Sequence, residues 1–192
     1  MRQPLEDKLV TIARAQATCT YPANFSLVAS CNPCPCGFFG SDLECTCTPP
    51  QIQKYLGRIS GPLLDRMDLH VEVPRVIFEQ LRTDNNSESS TTLREKVLLA
   101  REIQLKRFAR HKFKLNSQMR PADVKKFCRL DEASEVLLKN AFDRLKMSAR
   151  AYDRILKVAR TIADLDNAAD IKIQHLAEAM QYRSLDRKYW NN

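Results

Sequence analysis

The spacing of apolar residues changes along the chain, and its first third contains two runs typical of strands. Residues 25–30 (FSLVAS) are largely apolar and end at a polar turn, whereas residues 68–73 (DLHVEV) alternate and stop at a proline. The first pattern predicts a buried parallel strand, and the second predicts a strand with one covered face. Between them, Pro49 predicts the first turn of a helix.

A polar stretch at 82–92 (RTDNNSESSTT) separates this region from one with helical periodicity. The predicted helices cover residues 93–108, 121–127, 132–146, 149–165 and a last segment after Ile171. Asp131 and Ser148 are suited to cap the third and fourth of these helices. The sequence therefore predicts a partial α/β core over residues 1–81, a linker over 82–92 and an all-α domain over 93–192.

The inward face of each helix is predicted from apolar residues at helical spacing. These residues are Leu93, Val97, Leu98, Leu105 and Phe108 on the first helix, Val136, Leu137, Phe142 and Leu145 on the third, and Tyr152, Ile155, Leu156, Ala159 and Ile162 on the fourth. Packing of these faces against one another is expected to form the core of the all-α domain.

The net charge of +8 is concentrated in one part of the chain. Residues 101–129 contain ten Lys or Arg residues against Glu102 and Asp123. A local field of this kind attracts polyanions such as nucleic acid. A solvated helical face is the alternative interpretation, and the window contains no aromatic series suited to stacking bases. The composition leaves both interpretations open.

The sequence gives no indication of a membrane or secreted protein. No apolar run approaches the roughly 18 residues that a membrane helix needs. The N-terminal sequence MRQPLEDKLV carries two acidic residues and lacks the apolar centre of a secretory signal. We therefore expect a cytoplasmic protein with no membrane partner.

Seven cysteines are present, and four of them are closely spaced. These four form two Cys-x-Cys pairs, Cys34 with Cys36 and Cys45 with Cys47. Without an export signal, a close cluster indicates metal binding rather than disulfides, and zinc is the usual ion for four thiolates. Reduced free thiols or a redox pair are the alternatives, because Cys-x-Cys is less diagnostic than Cys-x-x-Cys. The others are expected to be small core residues: Cys19, Cys31 and Cys128.

Six motifs distributed along the chain match those of one family. They are RQPLEDKLVTIARA at 2–15, NPCPCG at 32–37, CTCTP at 45–49, GRISGPLLDRMDLHVEVPR at 57–75, SARAYDRILKVARTIADL at 148–165 and HLAEAMQYRSLDR at 175–187. On these residues the chain resembles the C-terminal part of the Mg-chelatase-like AAA+ ATPases, in the competence-associated ComM (YifB-type) branch. One departure is Lys146-Met147, where the family more often has a Gly-Leu-type pair. The resemblance implies the second half of an AAA+ P-loop core followed by a helical lid.

The resemblance also implies roles for three polar residues in ATP hydrolysis. Asn32 stands where the family places sensor 1, which orients the attacking water. Arg66, in LLDRMDL, matches the arginine finger that stabilises charge on the transferring phosphoryl group, and Arg58 is a weaker candidate for that role. Arg150 matches sensor 2, a lid arginine that contacts the nucleotide. Arg160, further along the same helix, is interpreted as structural.

Each of the three residues has a structural interpretation beside the functional one. Asn32 precedes a proline and suits a turn. Arg66 is flanked by Asp65 and Asp68, either of which is a suitable ion-pair partner on the surface. Arg150 suits the solvent side of a helix. The sequence alone leaves these alternatives open.

The residues that would bind the phosphates are absent from this sequence. It contains no G-x-x-x-x-G-K-[ST] loop, and no apolar strand ends in paired acids that would hold Mg²⁺. The resemblance therefore implies that ATP and Mg²⁺ are bound mainly by an N-terminal half, and that this chain alone does not hydrolyse ATP. The implied partners are that N-terminal half or further copies in a ring-shaped oligomer, together with DNA.

Three functions of different classes are consistent with the sequence. The first is the C-terminal piece of an ATP-driven motor that remodels DNA, by helicase or branch-migration activity, in uptake and recombination. The second is a non-catalytic nucleic-acid-binding module with a structural zinc loop. The third is a subunit of an ATP-dependent metal chelatase, for which the sequence shows no metal-insertion residues.

Overall fold

The computed structural model describes residues 2–76, 78, 88–145 and 147–183. The chain forms two compact units, of which the first includes the residues up to Arg75 and the second includes Val76–Ser184. Among the described residues most of the regular structure is helical, and the sheet has two strands. A partial α/β unit followed by a helical one is the fold class that the sequence predicts.

The first unit begins with a helix and a hairpin. Helix α1 (Arg2–Asp7) is followed by strands β1 (Leu9–Arg14) and β2 (Ala17–Pro22), which pair antiparallel along their whole length. Lys8 joins the helix to the hairpin with a left-handed φ of 57°. Its carbonyl accepts a hydrogen bond from the amide of Ala23 at 2.7 Å, which closes the base of the hairpin.

The two predicted parallel strands do not form. Residues 25–30 and 68–73 belong to no sheet, since the described sheet contains β1 and β2 alone. The side chains of Val28 and Val73 are 94% and 83% exposed. A parallel strand needs neighbouring strands for its backbone hydrogen bonds and a covering layer on each face. The described part of the first unit supplies neither. Both segments therefore lie outside a sheet, although their apolar patterns are typical of strands.

Helix α2 (Pro49–Leu56) begins at the proline that predicts it. The side-chain oxygen of Gln51 accepts a hydrogen bond from the amide of Thr48 at 2.9 Å and so closes the first turn. A single-turn helix, α3 (Gly61–Leu64), follows. Both helices have a proline in the first turn, where the missing amide hydrogen has no intrahelical partner to lose.

The apolar core around α2 is small. Ile52 and Leu56 of α2 form a buried cluster with Cys34. The partly buried residues packed against this cluster are Cys36, Cys45, Cys47 and Tyr55. Because so little apolar surface is buried here, hydrophobic packing alone gives this part of the unit limited stability.

The second unit is helical. Its elements are α4 (Ser90–Arg107), a 3₁₀ turn (Asn116–Gln118), α5 (Pro121–Phe127), α6 (Glu132–Leu145), α7 (Ala149–Leu165) and α8 (Ile173–Gln181). The two predicted caps are present. Asp131 accepts a hydrogen bond from the Ser134 amide at 2.8 Å, and Ser148 accepts one from the Ala151 amide at 3.1 Å.

Helix α4 begins inside the predicted linker. Residues 82–87 lie outside the described residues, but Ser90 already starts the helix. Ser89 is the cap, because its side-chain oxygen accepts a hydrogen bond from the amide of Thr92 at 3.1 Å. Polar residues that suggested a linker therefore include a helix N-terminus, where serine and threonine are favoured.

The predicted inward faces are correct on α7 and partly wrong elsewhere. On α7 the residues Ile155, Leu156, Ala159 and Ile162 are buried, while Tyr152 is exposed. On α4 four residues of the predicted face are exposed: Leu93, Val97, Leu98 and Leu105. The fifth, Phe108, lies directly after the helix and is buried, as predicted. On α6 the register is shifted, since Leu138 and Ala141 are buried and Val136 is exposed. Apolar residues occur on more than one side of α4 and α6. Which side is buried depends on how these helices pack against α7 and α8.

The core of the second unit is formed mainly by α7 and the helices around it. Its buried apolar members are Phe108, Met119, Val124, Cys128, Leu138, Ile155, Leu156, Ala159, Ile162, Ala163, Ile171, Leu176 and Ala179. Phe108 is the largest of them and has no exposed surface. It contacts the rings of Phe113 and Phe127, with centroids 4.8 and 5.1 Å away.

Helix α7 also buries a charged group. The carboxylate of Asp164 accepts hydrogen bonds from Arg107 Nη1 at 2.8 Å, Asn116 Nδ2 at 2.8 Å and Arg160 Nε at 3.2 Å. Arg160 also donates to two carbonyls of the loop after α7, at 2.7 and 2.8 Å. This network joins the end of α4, the 3₁₀ turn and α7, and Arg160 has the structural role that the sequence predicts.

Candidate functional site

Four cysteine sulfurs converge in the loop before α2. The Sγ atoms of Cys34, Cys36, Cys45 and Cys47 all lie within 4.8 Å of one another. The Cys34 sulfur is 3.3 Å from that of Cys36 and 3.8 Å from that of Cys45, and the Cys36 and Cys45 sulfurs are 3.5 Å apart. All four are free thiols. Among the described residues, this is the group of side chains suited to hold a metal ion.

Two glycines let the loop return on itself. Gly37 and Gly40 have φ values of 86° and 79°, in the left-handed region where a side chain is disfavoured. The amide of Gly37 donates to the carbonyl of Cys34 at 3.1 Å, forming a tight turn that contains the first Cys-x-Cys pair. The amide of Phe39 donates to the Cys34 sulfur at 3.4 Å. The backbone thus places both Cys-x-Cys pairs on one side of the loop.

The thiols of the cluster strongly affect one another's ionisation. A hydrogen bond from the Phe38 amide lowers the pKa of Cys36, whereas burial raises it. Hydrogen bonds from the Cys34 and Cys47 thiols lower it further, and the resulting pKa of Cys36 is about 5. A hydrogen bond from the Cys47 amide lowers the pKa of Cys45. Burial and the neighbouring Cys36 and Cys34 sulfurs have the larger, opposite effect and raise the pKa of Cys45 to about 12. Ionisation of one thiol therefore disfavours ionisation of its neighbours. A cation bound among the sulfurs would instead favour ionisation of all of them.

The three remaining cysteines do not share one environment. Cys128 is a core residue, as predicted, and burial raises the pKa of its thiol to about 12. Cys19, on β2, and Cys31 are exposed, so their prediction as core residues is wrong. Both lie in segments whose apolar residues are exposed as well, because the first unit has so small a core.

Asn32 lies beside the cysteine loop. It follows segment 25–30 and its side chain is exposed. A Cβ atom added at Gly37 would lie 3.7 Å from Asn32 Nδ2, so the amide packs against the turn of the loop. The conformation of the four-cysteine loop therefore determines where this amide is held.

Arg66 is held by an ion pair with Glu6. It follows α3, and its Nε donates to Glu6 Oε2 at 3.1 Å, while Nη2 also contacts that oxygen. Its Nη1 donates to the carbonyl of Pro62. The side chain is only 9% exposed. The acidic partner is thus on α1, sixty positions away, and not one of the sequence neighbours Asp65 and Asp68 considered above.

Arg150 and Arg58 are both exposed. Arg150 lies in the first turn of α7, next to the capped N-terminus. Arg58 lines an open groove together with Lys54, Tyr55 and residues of the four-cysteine loop. Of the seven predicted site residues, the four cysteines form one cluster, whereas Asn32, Arg66 and Arg150 stand on separate elements.

Sequence reasoning missed two charged relationships. Glu6 carries no local signal, since its partner Arg66 is sixty positions away. Asp164 did carry one, because Arg160 and Asp164 stand four residues apart on the apolar side of α7. Charged residues on a buried helical face indicate an internal network, since an isolated buried charge is costly.

The basic window forms an exposed surface. Of its ten Lys and Arg residues, nine are exposed, and Arg107 is partly buried in the network with Asp164. The exposed ones are Arg101, Lys106, Arg110, Lys112, Lys114, Arg120, Lys125, Lys126 and Arg129. We call these nine residues the basic surface.

Comparison with known protein families covers both units. Residues 1–81 match the family described as magnesium chelatase, subunit ChlI. Residues 87–183 match the family described as magnesium chelatase, subunit ChlI C-terminal. The chain belongs to the magnesium chelatase ChlI family. Residues 82–86, which separate the two matches, lie within the polar stretch that the sequence suggests as a linker.

Curated members of the ChlI family extend the match to nearly the whole chain. The chain is 44% identical over 188 residues to the competence protein ComM of Haemophilus influenzae and 42% identical over 188 residues to the uncharacterized protein YifB of Escherichia coli. It is 36% identical over 183 residues to the uncharacterized protein Rv2897c of Mycobacterium tuberculosis. These alignments cover 95–97% of this chain but 36% of each relative.

The length and apolarity of the described helices decide whether any of them could span a membrane. No helix in the described part of this ChlI-family chain is long and apolar enough to cross a membrane. The longest described helix, α4, has 18 residues and carries charged side chains at several turns.

Proposed function

We propose that this chain is the C-terminal portion of an ATP-driven DNA-remodelling motor, to which it contributes Asn32, Arg66 and Arg150. The observation that carries the proposal is the continuous likeness to a competence protein, 44% identity across 97% of this chain. Competence is the uptake of DNA, and ChlI-family members are generally oligomeric. The motor we propose is a ring that acts in the cytoplasm by helicase or branch-migration activity during uptake and recombination.

Arg66 is assigned to the reacting phosphate in this proposal. Its planar group of N–H donors, held by Glu6, is suited to a second anion of similar geometry. A phosphoryl group of a nucleotide bound by the neighbouring subunit competes with the Glu6 carboxylate for those donors. Charge on that phosphoryl group increases in the transition state, so the contact strengthens as the reaction proceeds.

Asn32 and Arg150 have supporting roles. The exposed amide of Asn32, fixed against Gly37, orients the attacking water through its oxygen and nitrogen. Arg150 contacts the phosphates from the first turn of α7, where the positive end of the helix dipole adds to its charge. Neither residue transfers a proton, since phosphoryl transfer relies mainly on positioning and charge stabilisation.

ATP and Mg²⁺ are assigned to sequence beyond this chain. The chain spans 36% of the length of its curated relatives and contains no glycine loop for phosphates. The exposed valines of segments 25–30 and 68–73 support the same division, because they suit strands whose sheet is completed by another part of the protein. When bound there, Mg²⁺ would neutralise phosphate charge beside Arg66.

DNA is proposed as the polymer on which the motor acts. The nine residues of the basic surface are exposed on the helical unit. Within residues 101–129 the only acidic residues are Glu102 and Asp123, so the positive charge of this segment is largely uncompensated. Such a surface binds phosphates without sequence preference and releases condensed counterions, which makes the affinity salt-dependent. Sequence-independent binding suits a protein that moves along or remodels DNA.

The test is ATP turnover by an assembly that contains this chain together with the N-terminal part found in its relatives. Arg66→Ala is expected to lower turnover by about 1,000-fold while nucleotide binding is retained. The matched control is Arg58→Ala, an exposed arginine of the same unit, which is expected to retain turnover. Normal turnover by Arg66→Ala would overturn its assignment, and loss in Arg58→Ala alone would transfer the role to Arg58.

A second candidate function is a nucleic-acid-binding module that needs no nucleotide. The four-cysteine cluster and the basic surface favour it, since both lie within this chain. It predicts that the chain by itself binds DNA with the same affinity in the presence and absence of ATP. A nucleotide-dependent affinity in the assembled protein favours the motor instead.

A further inference from the structure

We propose that Cys34, Cys36, Cys45 and Cys47 bind one zinc ion as four thiolate ligands. A tetrahedral ion with Zn–S bonds of about 2.3 Å holds its sulfurs about 3.8 Å apart. The measured separations of 3.3, 3.5 and 3.8 Å, with every pair within 4.8 Å, match that size. The proposal does not depend on the motor function.

The number and spacing of the sulfurs restrict the kind of metal centre. Four sulfurs at these distances surround a single ion, whereas the ligands of a multi-iron cluster lie further apart. Thiolate ligands in a tetrahedral set favour zinc over magnesium or calcium, which prefer oxygen. With all four positions filled by the protein, no position remains for water or substrate, so the site is structural.

The surrounding residues form a second layer that supports the ligands. The Phe39 amide donates to the Cys34 sulfur at 3.4 Å, which is a common way of stabilising a metal-bound thiolate. Cys34 has no exposed surface and packs against Ile52 and Leu56 of α2. The ion would therefore be enclosed between the loop and a helix, rather than held on a solvent-exposed tip.

The metal site has a clear structural purpose in this unit. The apolar cluster around α2 has only three buried members among the described residues, of which one is Cys34. Binding of an ion to the four cysteines, with release of their thiol protons, adds its free energy to that of folding and compensates for a small core. The loop also holds Asn32 against Gly37, so zinc would fix the position of that amide. This last consequence alone rests on the proposed function of Asn32.

The experiment measures metal in the full chain, expressed without a metal-binding tag and purified under reducing conditions without chelators. We expect one zinc per chain by elemental analysis. Replacement by Co²⁺ is expected to give the intense visible bands and the sulfur-to-cobalt charge-transfer band of a tetrahedral four-thiolate centre. Cys45→Ser is expected to lose the zinc, whereas Cys31→Ser and Cys19→Ser, which alter exposed cysteines outside the cluster, are expected to keep it.

Several results would overturn the proposal. One is the absence of zinc from the reduced chain even after zinc is added; another is full zinc content in Cys45→Ser. One iron per chain in place of zinc would assign the site to a different metal. If Cys45→Ser does not fold, the cobalt spectrum of the unaltered chain decides, because bands typical of fewer than four thiolates contradict the proposed ligand set.

Discussion

Arg66 and Glu6 form an ion pair that joins the end of α3 to the first helix of the chain. The Nε–Oε2 distance is 3.1 Å, and the arginine side chain is 9% exposed while the glutamate is 36% exposed. A nearly buried guanidinium with one partly exposed carboxylate partner is oriented but still accessible to another anion. The ion pair therefore orients the guanidinium group that we propose to contact a phosphate.

Removal of the Glu6 charge should show how much this pair contributes to the stability of the first unit. Glu6→Gln is expected to destabilise the first unit by about 1 kcal/mol, because the partner remains partly solvated. Urea unfolding of the full chain measures this change, with Glu44→Gln, an exposed acid of the same unit, as the control. Equal effects of both variants would contradict a specific role for the Glu6–Arg66 pair.

Substitution of the buried Asp164 should destabilise the protein far more than substitution of Glu6. Asp164→Asn leaves Arg107 and Arg160 without their shared carboxylate in the core of the second unit. We expect a loss of about 3–5 kcal/mol in the free energy of unfolding, the usual cost of removing one partner from a buried ion pair. Asp143→Asn, on the exposed side of α6, is the control, and thermal unfolding followed by circular dichroism is the measurement. A loss below about 1 kcal/mol would show that the network is solvated.

Removal of zinc should loosen one loop and leave the helical unit unchanged. A strong chelator is expected to increase hydrogen exchange of backbone amides in residues 31–50, which contain the four proposed ligands and end at the start of α2. Exchange in α7 should not change, because that helix belongs to the other unit and has its own core. Uniform opening of both segments, or protection of 31–50 that does not change, would contradict this expectation.

The basic surface should determine DNA affinity through phosphate contacts. Replacement of Lys125, Lys126 and Arg129 by alanine is expected to weaken DNA binding at every sequence and to reduce the slope of log affinity against log salt by about 0.9 per lost contact. The control changes three exposed lysines outside the basic surface to alanine: Lys96, Lys139 and Lys172. Fluorescence anisotropy over a salt series provides the measurement. The prediction fails if both triple variants have the same slope.

Local signals predicted much of the second unit. The periodicity of α7 identified Ile155, Leu156, Ala159 and Ile162 as buried, and Ser148 caps the helix as expected. These features depend on residues only a few positions apart, so a linear pattern contains the necessary information. The exposed face of α4 shows the limit of such patterns, because amphipathic spacing does not indicate whether another helix will cover it.

The first unit shows that limit more strongly. Residues 25–30 and 68–73 have strand-like patterns, yet neither belongs to the described sheet. Strand formation depends on partners for backbone hydrogen bonds, and such partners are distant in sequence. The four-cysteine cluster was predictable for the opposite reason. Its two pairs and the intervening glycines lie within fourteen residues, and the loop turns at those glycines.

By itself, the sequence determined the family resemblance, the helical second unit, the close spacing of the four cysteines and the identity of the polar residues proposed to act on ATP. Only the tertiary structure decided that Arg66 pairs with Glu6, that Asp164 is buried between two arginines, and that the helix α4 leaves its apolar side exposed. The physical reason is the distance along the sequence between the residues that interact. Capping, turns and helical periodicity arise between neighbours in sequence, whereas ion pairs, strand pairing and burial depend on which distant residues the fold brings into contact.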